Sequence, residues 1–306
     1  MESQTADVGK KYVKRAVYAL GKLFPVSPKN LSEGLCVCRE LYMHGIHSTL
    51  GKFSKAGDDP AEIVAEYQSA SNALGNDSPS CHFYLSIKPP ALDFNLENSV
   101  MLAAAALQNG HGVHFDSHEY AQTDRTLQLL EQVMDRNIPA KDMNGSWKFG
   151  VTLPSRWKRS MDDATWAAEK DVRVRLVKGE FKASDSSDET DPVTGFLALV
   201  DRLAGNVPEI AVATHDYALA REAITRCRSV GSSVQLELLF GMPAGAMTRL
   251  SSEMGVPVRF YVPYGDTLLI YGIRFFLANP RKLLVPDFLQ ILAGQEAKLA
   301  KIVASL

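Results

Sequence analysis

The stretch VRFYVPYGDTLLIYGIRFFLAN (258–279) reads as a strand, a turn and a helix. Val258, Phe260 and Val262 alternate with Arg259, Tyr261 and Pro263, the period of two that marks a strand. Pro263 and Gly265 are expected to end it. Asp266 and Thr267 offer N-cap oxygens, and the helical pattern starts at Leu268. Tyr271 and Arg274 lie three apart on that helix and so share a face. That face is expected to turn back over the strand end, where Tyr261 and Tyr264 lie. Tyrosines and a guanidinium around one strand end suit an anion or an amino acid. Packing tyrosines and a surface arginine are the alternative reading of the same residues.

The same unit recurs upstream. Strands are expected at 45–50, 81–88, 112–117, 147–153, 172–178, 209–214, 233–240 and 257–263. Helical patterns follow at 60–74, 96–109, 119–136, 156–168, 191–205, 216–229, 243–253 and 267–278. Alternating strands and helices imply a parallel sheet. Eight units in roughly 230 residues fit an α/β fold of the closed (βα)8 kind better than an open doubly wound sheet. The first strand is not followed by the G-x-G-x-x-G fingerprint of a dinucleotide-binding domain. Residues 10–24 (KKYVKRAVYALGKLF) space their apolar side chains as an amphipathic helix, with a connection to about residue 34. A further helix is expected at 286–305. The expected layout is a helical segment at 1–44, a barrel domain at 45–285 and a C-terminal helix at 286–306. The acidic run SDSSDETD (184–191) reads as a solvated loop between strand five and its helix.

Bulk properties narrow the function classes. The chain has 306 residues, 46% of them hydrophobic and 22% charged, as expected of a water-soluble globular protein. A formal net charge of −2 gives no signal for nucleic acid. The four cysteines lack metal-site spacing and read as reduced thiols of a cytoplasmic protein. No apolar run approaches the length of about 18 residues that a membrane span needs. The amphipathic helices leave room for peripheral membrane contact.

In a (βα)8 barrel, functional groups gather at the C-terminal strand ends. Here those positions carry Lys88, Asp116, Thr152, Arg175 with Lys178, then Thr214, His215 and Asp216, Leu239, and Tyr261. Three chemistries suit such a set. A Schiff-base aldolase would use Lys88 or Lys178. A metal hydrolase would draw on His114, Asp116 and His118 with His47 and His215. A flavin enzyme would hold its cofactor with backbone amides and basic groups at the strand ends.

The series LSIK (85–88), HFD (114–116), RLVKG (175–179), ATHD (213–216), LELLFGM (236–242), YVPYG (261–265) and YGIRFFLAN (271–279) resembles the proline dehydrogenase family over about 45–280. The resemblance implies a distorted (βα)8 barrel with FAD as cofactor, and hydride transfer from a carbon beside nitrogen to flavin N5. It places Arg175 near N5, with Val177, Lys178, Gly179 and Phe181 on the same strand and loop. Thr152, Thr214, His215 and Asp216 complete the cofactor set. Lys88 would help bind the substrate carboxylate and pair with Asp116. Leu239, Tyr261 and Tyr271 would pack on the substrate ring, and Arg274 would reach its carboxylate. A membrane quinone or another acceptor would take the electrons.

The sequence departs from the family pattern Y-x-x-R-R-x-x-E-N. Phe275 stands at the second arginine and Ala278 at the glutamate. Phe181 replaces a tyrosine, Thr152 a glutamine, and the loop after strand five is acidic where relatives carry a base. The joint loss of arginine and glutamate is coherent, because a buried carboxylate without its cation is costly. Losing one guanidinium from a carboxylate clamp removes about 1.5–3 kcal/mol. The expected substrate is therefore proline, with a proline analogue or other cyclic or secondary amine of masked or missing carboxylate as the alternative. A degenerate flavin-binding barrel acting through interactions is the non-enzymatic alternative.

Overall fold

The computed structural model describes residues 27–55, 57–75, 82–136, 148–266 and 295–304. Eight parallel strands close into a barrel in chain order. They are β1 (His47–Phe53), β2 (Phe83–Ile87), β3 (Gly112–Phe115), β4 (Phe149–Pro154), β5 (Arg173–Val177), β6 (Ile210–Ala213), β7 (Val234–Leu239) and β8 (Val258–Gly265). All eight strand expectations correspond to observed strands, with ends shifted by three residues at most. The helix α1 (Leu31–Met43) precedes β1. Behind the strands follow α2 (Pro60–Leu74), α3 (Leu96–Gln108), α4 (Thr123–Met134), α5 (Ser160–Glu169), α6 (Pro192–Leu203), α7 (Tyr217–Ser229) and α8 (Gly245–Met254), and α9 (Gln295–Val303) closes the series. The expected helices at 10–24 and 267–278 lie outside the described residues.

The caps explain where several helices start. Asp59, Asn95, Asp191 and Asp216 each accept a backbone N–H in the first turn of α2, α3, α6 and α7. Each such cap contributes about 1 kcal/mol. The same is true of Asn30 on α1, so this helix begins at residue 31, where a connection was expected to run to about 34. Gly34 lets α1 sit close to the barrel: a Cβ there would meet Leu50 at 3.0 Å and Tyr264 at 3.6 Å. Among the described residues, no helix is long and apolar enough to cross a membrane.

The strand-eight pattern needs two corrections. Pro263 does not end β8, which runs on to Gly265 and pairs with β1 through Lys52↔Tyr264 and Phe53↔Gly265. The Tyr261 carbonyl accepts from Phe240 N at 2.8 Å, so this residue faces β7. Parallel alternation turns Pro263 the same way, but the β7 pairing ends at Leu239↔Tyr261. The missing proline N–H thus costs no ladder bond. The second correction follows from the same alternation. Tyr261 points into the barrel, whereas Tyr264 has the parity of Phe260 and Val262 and packs under α1. The two tyrosines do not share a pocket.

The apolar core lies between the strands and the helices, built from residues such as Phe83, Val113, Phe115, Phe149, Leu176 and Phe260. Each fully buried side chain of this kind contributes about 1.5–3 kcal/mol relative to exposure. The barrel interior is different. Its inward positions carry His114, Arg173, Arg175, Gln235, Glu237 and Arg259, all buried. The acidic loop 184–191 joins β5 to α6 as expected. It is tied to the loop after β4 by Lys158 N donating to Asp188 O and Thr190 N donating to Arg156 O, both at 2.8 Å.

Candidate active site

Lys88 and Asp116 stand one residue beyond β2 and β3, at the C-terminal mouth of the barrel. Lys88 Nζ donates to Asp116 Oδ2 at 2.9 Å and contacts the Tyr261 hydroxyl at 2.7 Å. It also lies 4.2 Å from the centroid of the Phe53 ring. Asp116 collects three donors, because Tyr261 Oη donates to Oδ2 at 2.9 Å and Arg175 Nη1 to Oδ1 at 2.7 Å. Burial alone would raise the Asp116 pKa. Lys88 and Arg175 outweigh it and hold this carboxyl well below the usual carboxylate range. Burial, reinforced by Asp116, pushes the Tyr261 phenol well above its usual value, so it stays a donor.

Arg175 is held from its other side by Glu237, whose Oε1 accepts from Nε at 2.9 Å and lies 2.6 Å from Nη2. Glu237 Oε2 accepts from Arg173 Nη2 at 3.1 Å, and Arg173 Nε donates to Glu209 at 2.6 Å. The charges therefore alternate from Lys88 at the mouth down to Glu209. Burial opposes ionisation of Glu237, but Arg175 and Arg173 overcome it and hold the carboxyl far down. His114 bonds Thr152 Oγ1 through Nε2 at 2.9 Å, and burial with the nearby guanidiniums keeps it neutral. Gly150 makes room for that ring, since a Cβ there would stand 2.4 Å from His114 Nδ1.

Around this charged floor a cavity of about 290 Å³ opens at the strand ends. Thr152, Arg175, Val177, Gly179, Phe181, Thr214, His215, Leu239 and Tyr261 all face it, together with Asp116 and Glu237. A neighbouring cavity of about 550 Å³ lies toward β1 and β2 and includes Phe53, Lys88 and His118. The two meet at Asp116, Ser117, Glu180 and Phe181. The structure thus gathers the expected residues Lys88, Asp116, Thr152, Arg175, Val177, Gly179, Phe181, Thr214, His215, Leu239 and Tyr261. Tyr271, Arg274 and Phe275 lie outside the described residues, as does Ala278.

Some of these residues are occupied in ways the sequence did not reveal. His215 Nε2 accepts from Leu239 N at 3.0 Å, which leaves Nδ1 as the donor to Pro243 O at 3.2 Å. Both ring nitrogens thus fix the β7 end, and the ring itself is what faces the cavity. Lys178 and Asp216 pair at 3.0 Å on the rim, with side chains 38% and 41% exposed. A pair so open to water contributes under about 1 kcal/mol and can exchange partners. Asp216 also caps α7 by accepting from Leu219 N. The expectation overlooked Glu237 and Arg173. Their signal was present: RVRLV (173–177) and QLELL (235–239) put polar residues on alternate positions of strands that should be apolar on both faces.

The site favours one of the three chemistries. Lys88 is engaged by Asp116 and Tyr261, not presented as a free nucleophilic amine. Among the described residues, no group of three His, Cys, Asp or Glu side chains is placed to hold a metal ion. The donor set fits a flavin ring: apolar walls from Val177 and Leu239, and one fixed guanidinium in the floor.

A family model described as proline dehydrogenase matches residues 38–279. A search of curated proteins returns no match. Among solved structures, the chain is similar to proline utilization A from Bdellovibrio bacteriovorus inactivated by N-propargylglycine. That likeness has a TM-score of 0.67 at 16% identity, covering 96% of this chain and 36% of that one. Proline utilization A from Corynebacterium freiburgense gives a TM-score of 0.63 at 15% identity, covering 96% and 33%. A Bradyrhizobium japonicum proline utilization A mutant gives 0.60 at 18%, covering 84% and 30%. The chain spans about a third of the length of these structures, and at these identities the likeness is one of fold.

Proposed function

The chain belongs to the proline dehydrogenase family, and from that premise we propose that it oxidises L-proline to 1-pyrroline-5-carboxylate with bound FAD. The observation that carries the reading is the set Lys88, Asp116, Arg175 and Tyr261, locked together by bonds of 2.7–2.9 Å at the mouth of the barrel. When bound, the flavin supplies a hydride acceptor at N5. Thr152, Val177, Gly179, Thr214 and His215 would hold its ring against the strand ends, and Lys178 and Arg156 offer cations at the rim. Arg175 would face the ring from the floor.

The protein's own part is positional. Tyr261 and Leu239 wall the substrate ring, and Lys88 marks the carboxylate side. As hydride leaves the carbon beside nitrogen, the nitrogen lone pair forms the C=N bond, so the amine must enter unprotonated, and the iminium that results gives its N–H proton to water. No described side chain of the floor has to carry a proton. Orientation in the cleft is what the site contributes to the rate. A quinone or other acceptor would take the electrons from the site.

The test is anaerobic titration of the FAD-loaded protein with L-proline, followed at the flavin absorbance band. Bleaching at millimolar proline supports the reading. A protein that takes up no FAD overturns it and leaves the barrel a binding scaffold. One observation favours a second substrate class. Lys88 and Arg175 already bond Asp116 and Glu237, so these mouth cations are offset before any carboxylate arrives. Phe275 and Ala278 likewise stand where the family pattern has an arginine and a glutamate. FAD bound but not bleached by L-proline, and bleached by L-prolinamide, would identify an amine without a free carboxylate.

A further inference from the structure

Arg175 lies between two buried carboxylates of different standing. Asp116 belongs to the mouth, where it also serves Lys88 and Tyr261. Glu237 sits deeper, is 3% exposed and bonds Arg175 and Arg173. It accepts from Arg175 Nε through Oε1, which lies beside Nη2 as an ion pair, and holds Arg173 through its other oxygen. Thr49 Oγ1 donates to it at 3.3 Å. Glu237 on Nε and Asp116 on Nη1 hold the guanidinium from two sides, a constraint that a single contact to Asp116 could not impose. Glu237 also sets a full negative charge 2.6 Å from the cation. Medium in the barrel interior screens that charge poorly.

We propose that Glu237 is a positioning residue that fixes the Arg175 guanidinium in the cavity floor and offsets its charge, lowering the reduction potential of the bound flavin. This rests on the FAD reading above. Reduction adds an electron pair to the ring, so every positive charge left unbalanced beside it favours the reduced form. By tying down Arg175, Glu237 keeps that form from being over-stabilised and so keeps reoxidation by the acceptor favourable. Arg173 works in the opposite sense, since it draws Glu237 away from Arg175 through the other oxygen.

The experiment measures the two-electron midpoint potential of bound FAD in the wild type and three variants. Glu237→Gln keeps the shape and removes the charge. It should raise the potential by at least the equivalent of a tenfold shift toward reduced flavin, about 30 mV for two electrons. Arg173→Gln leaves Glu237 committed to Arg175 and should lower the potential. A purely structural role predicts no such opposition of sign. Should Glu237→Gln fail to fold, Arg173→Gln/Glu237→Gln removes one charge of each sign and keeps the interior balance. It should still raise the potential, because the lost carboxylate is the nearer charge. Unchanged potentials, or shifts of one sign in the Glu237 and Arg173 single variants, overturn the inference alone. A wild type that binds no FAD overturns the functional reading and this inference together.

Discussion

A Cβ on Gly51 would stand 2.2 Å from the Tyr261 hydroxyl and 2.6 Å from the ring carbon that bears it. Gly51 and Tyr261 are inward-facing residues of adjacent strands, β1 and β8. The glycine is the empty place that lets the tyrosine reach Lys88 and Asp116.

Gly51→Ala is therefore expected to displace the ring and break both of its bonds at the mouth. Overpacking of this kind costs about 1–3 kcal/mol. Proline turnover should fall by at least tenfold. The check is a double-mutant cycle by urea unfolding: in a Tyr261→Leu background the same substitution should cost much less. Equal costs in the two backgrounds would show that the space is not shared.

Asp116→Asn leaves Lys88 and Arg175 without the carboxylate they share. Breaking a buried pair by removing one partner costs about 3–5 kcal/mol. Thermal or urea unfolding at pH 7 should show a loss of that size, and adding Lys88→Met should recover part of it. A loss below about 1 kcal/mol, the range of an exposed pair, would show that the mouth is wetter than its burial indicates.

Acid should act on stability in two stages. Burial is the first cause that holds His47 near 3 and His82 and His118 near 4, and it lowers His111 and His114 as well. Unfolded histidine binds its proton near pH 6.5, so the unfolded chain takes up more protons below that pH. Stability should then fall from about pH 6.5 downward, by up to about 1.4 kcal/mol per pH unit for each ring. Asp116 and Glu237 have folded values below their unfolded ones, so their contribution is present above about pH 4 and is lost as pH falls further. Denaturant midpoints should be nearly level from pH 8 to about 7, decline from about pH 6.5, and go on declining below about 4.5 as the carboxylates join. A flat profile from pH 7 to 5.5 would contradict the buried neutral histidines.

Catalysis should follow a different pH course. Asp116, Glu237, His114 and His118 titrate below the neutral range, and Tyr261 well above its usual value. None of them supplies a base near neutrality. The rise of kcat/KM with pH should therefore track the amine's own ionisation. Comparing two substrates of different amine basicity tests this: the rising limb should move with the substrate. A limb fixed at one pH would point to a protein base.

Phe275→Arg should strengthen binding of a carboxylate-bearing substrate. A restored charge-assisted contact is worth about 1.5–3 kcal/mol, or roughly ten- to hundredfold in KM for L-proline. L-Prolinamide should gain little. An equal change for both substrates would mean that residue 275 does not meet the carboxylate.

The barrel was legible because several of its units carry their own punctuation. Alternating apolar runs such as GIHSTL and EIAVAT give strands, and Asp59, Asn95, Asp191 and Asp216 mark the helix starts. Lys88, Asp116, Arg175 and Tyr261 were legible as strand-end groups, since a (βα)8 barrel gathers such ends at one mouth. What the sequence hid was the company each residue keeps. Local pattern does not show that His215 spends both nitrogens on backbone, or that Glu237 meets Arg175 across 62 residues. Alternation named the inward face of each strand. Stagger between strands decided which inward groups meet, and stagger appears only on closure.

That closure has a consequence for how the molecule is made. The seam joins β1 to β8 through seven register pairs, from His47↔Arg259 to Phe53↔Gly265. At a synthesis rate of about 5–20 residues per second, β1 waits roughly 10–40 s on the ribosome before its second neighbour exists. During that time one edge of a largely buried strand stands open to any other chain. Polypeptides in which β8 is incomplete should thus be the ones that clump or recruit chaperones, so a truncation series ending before and after Gly265 ought to show solubility switching on with the last strand.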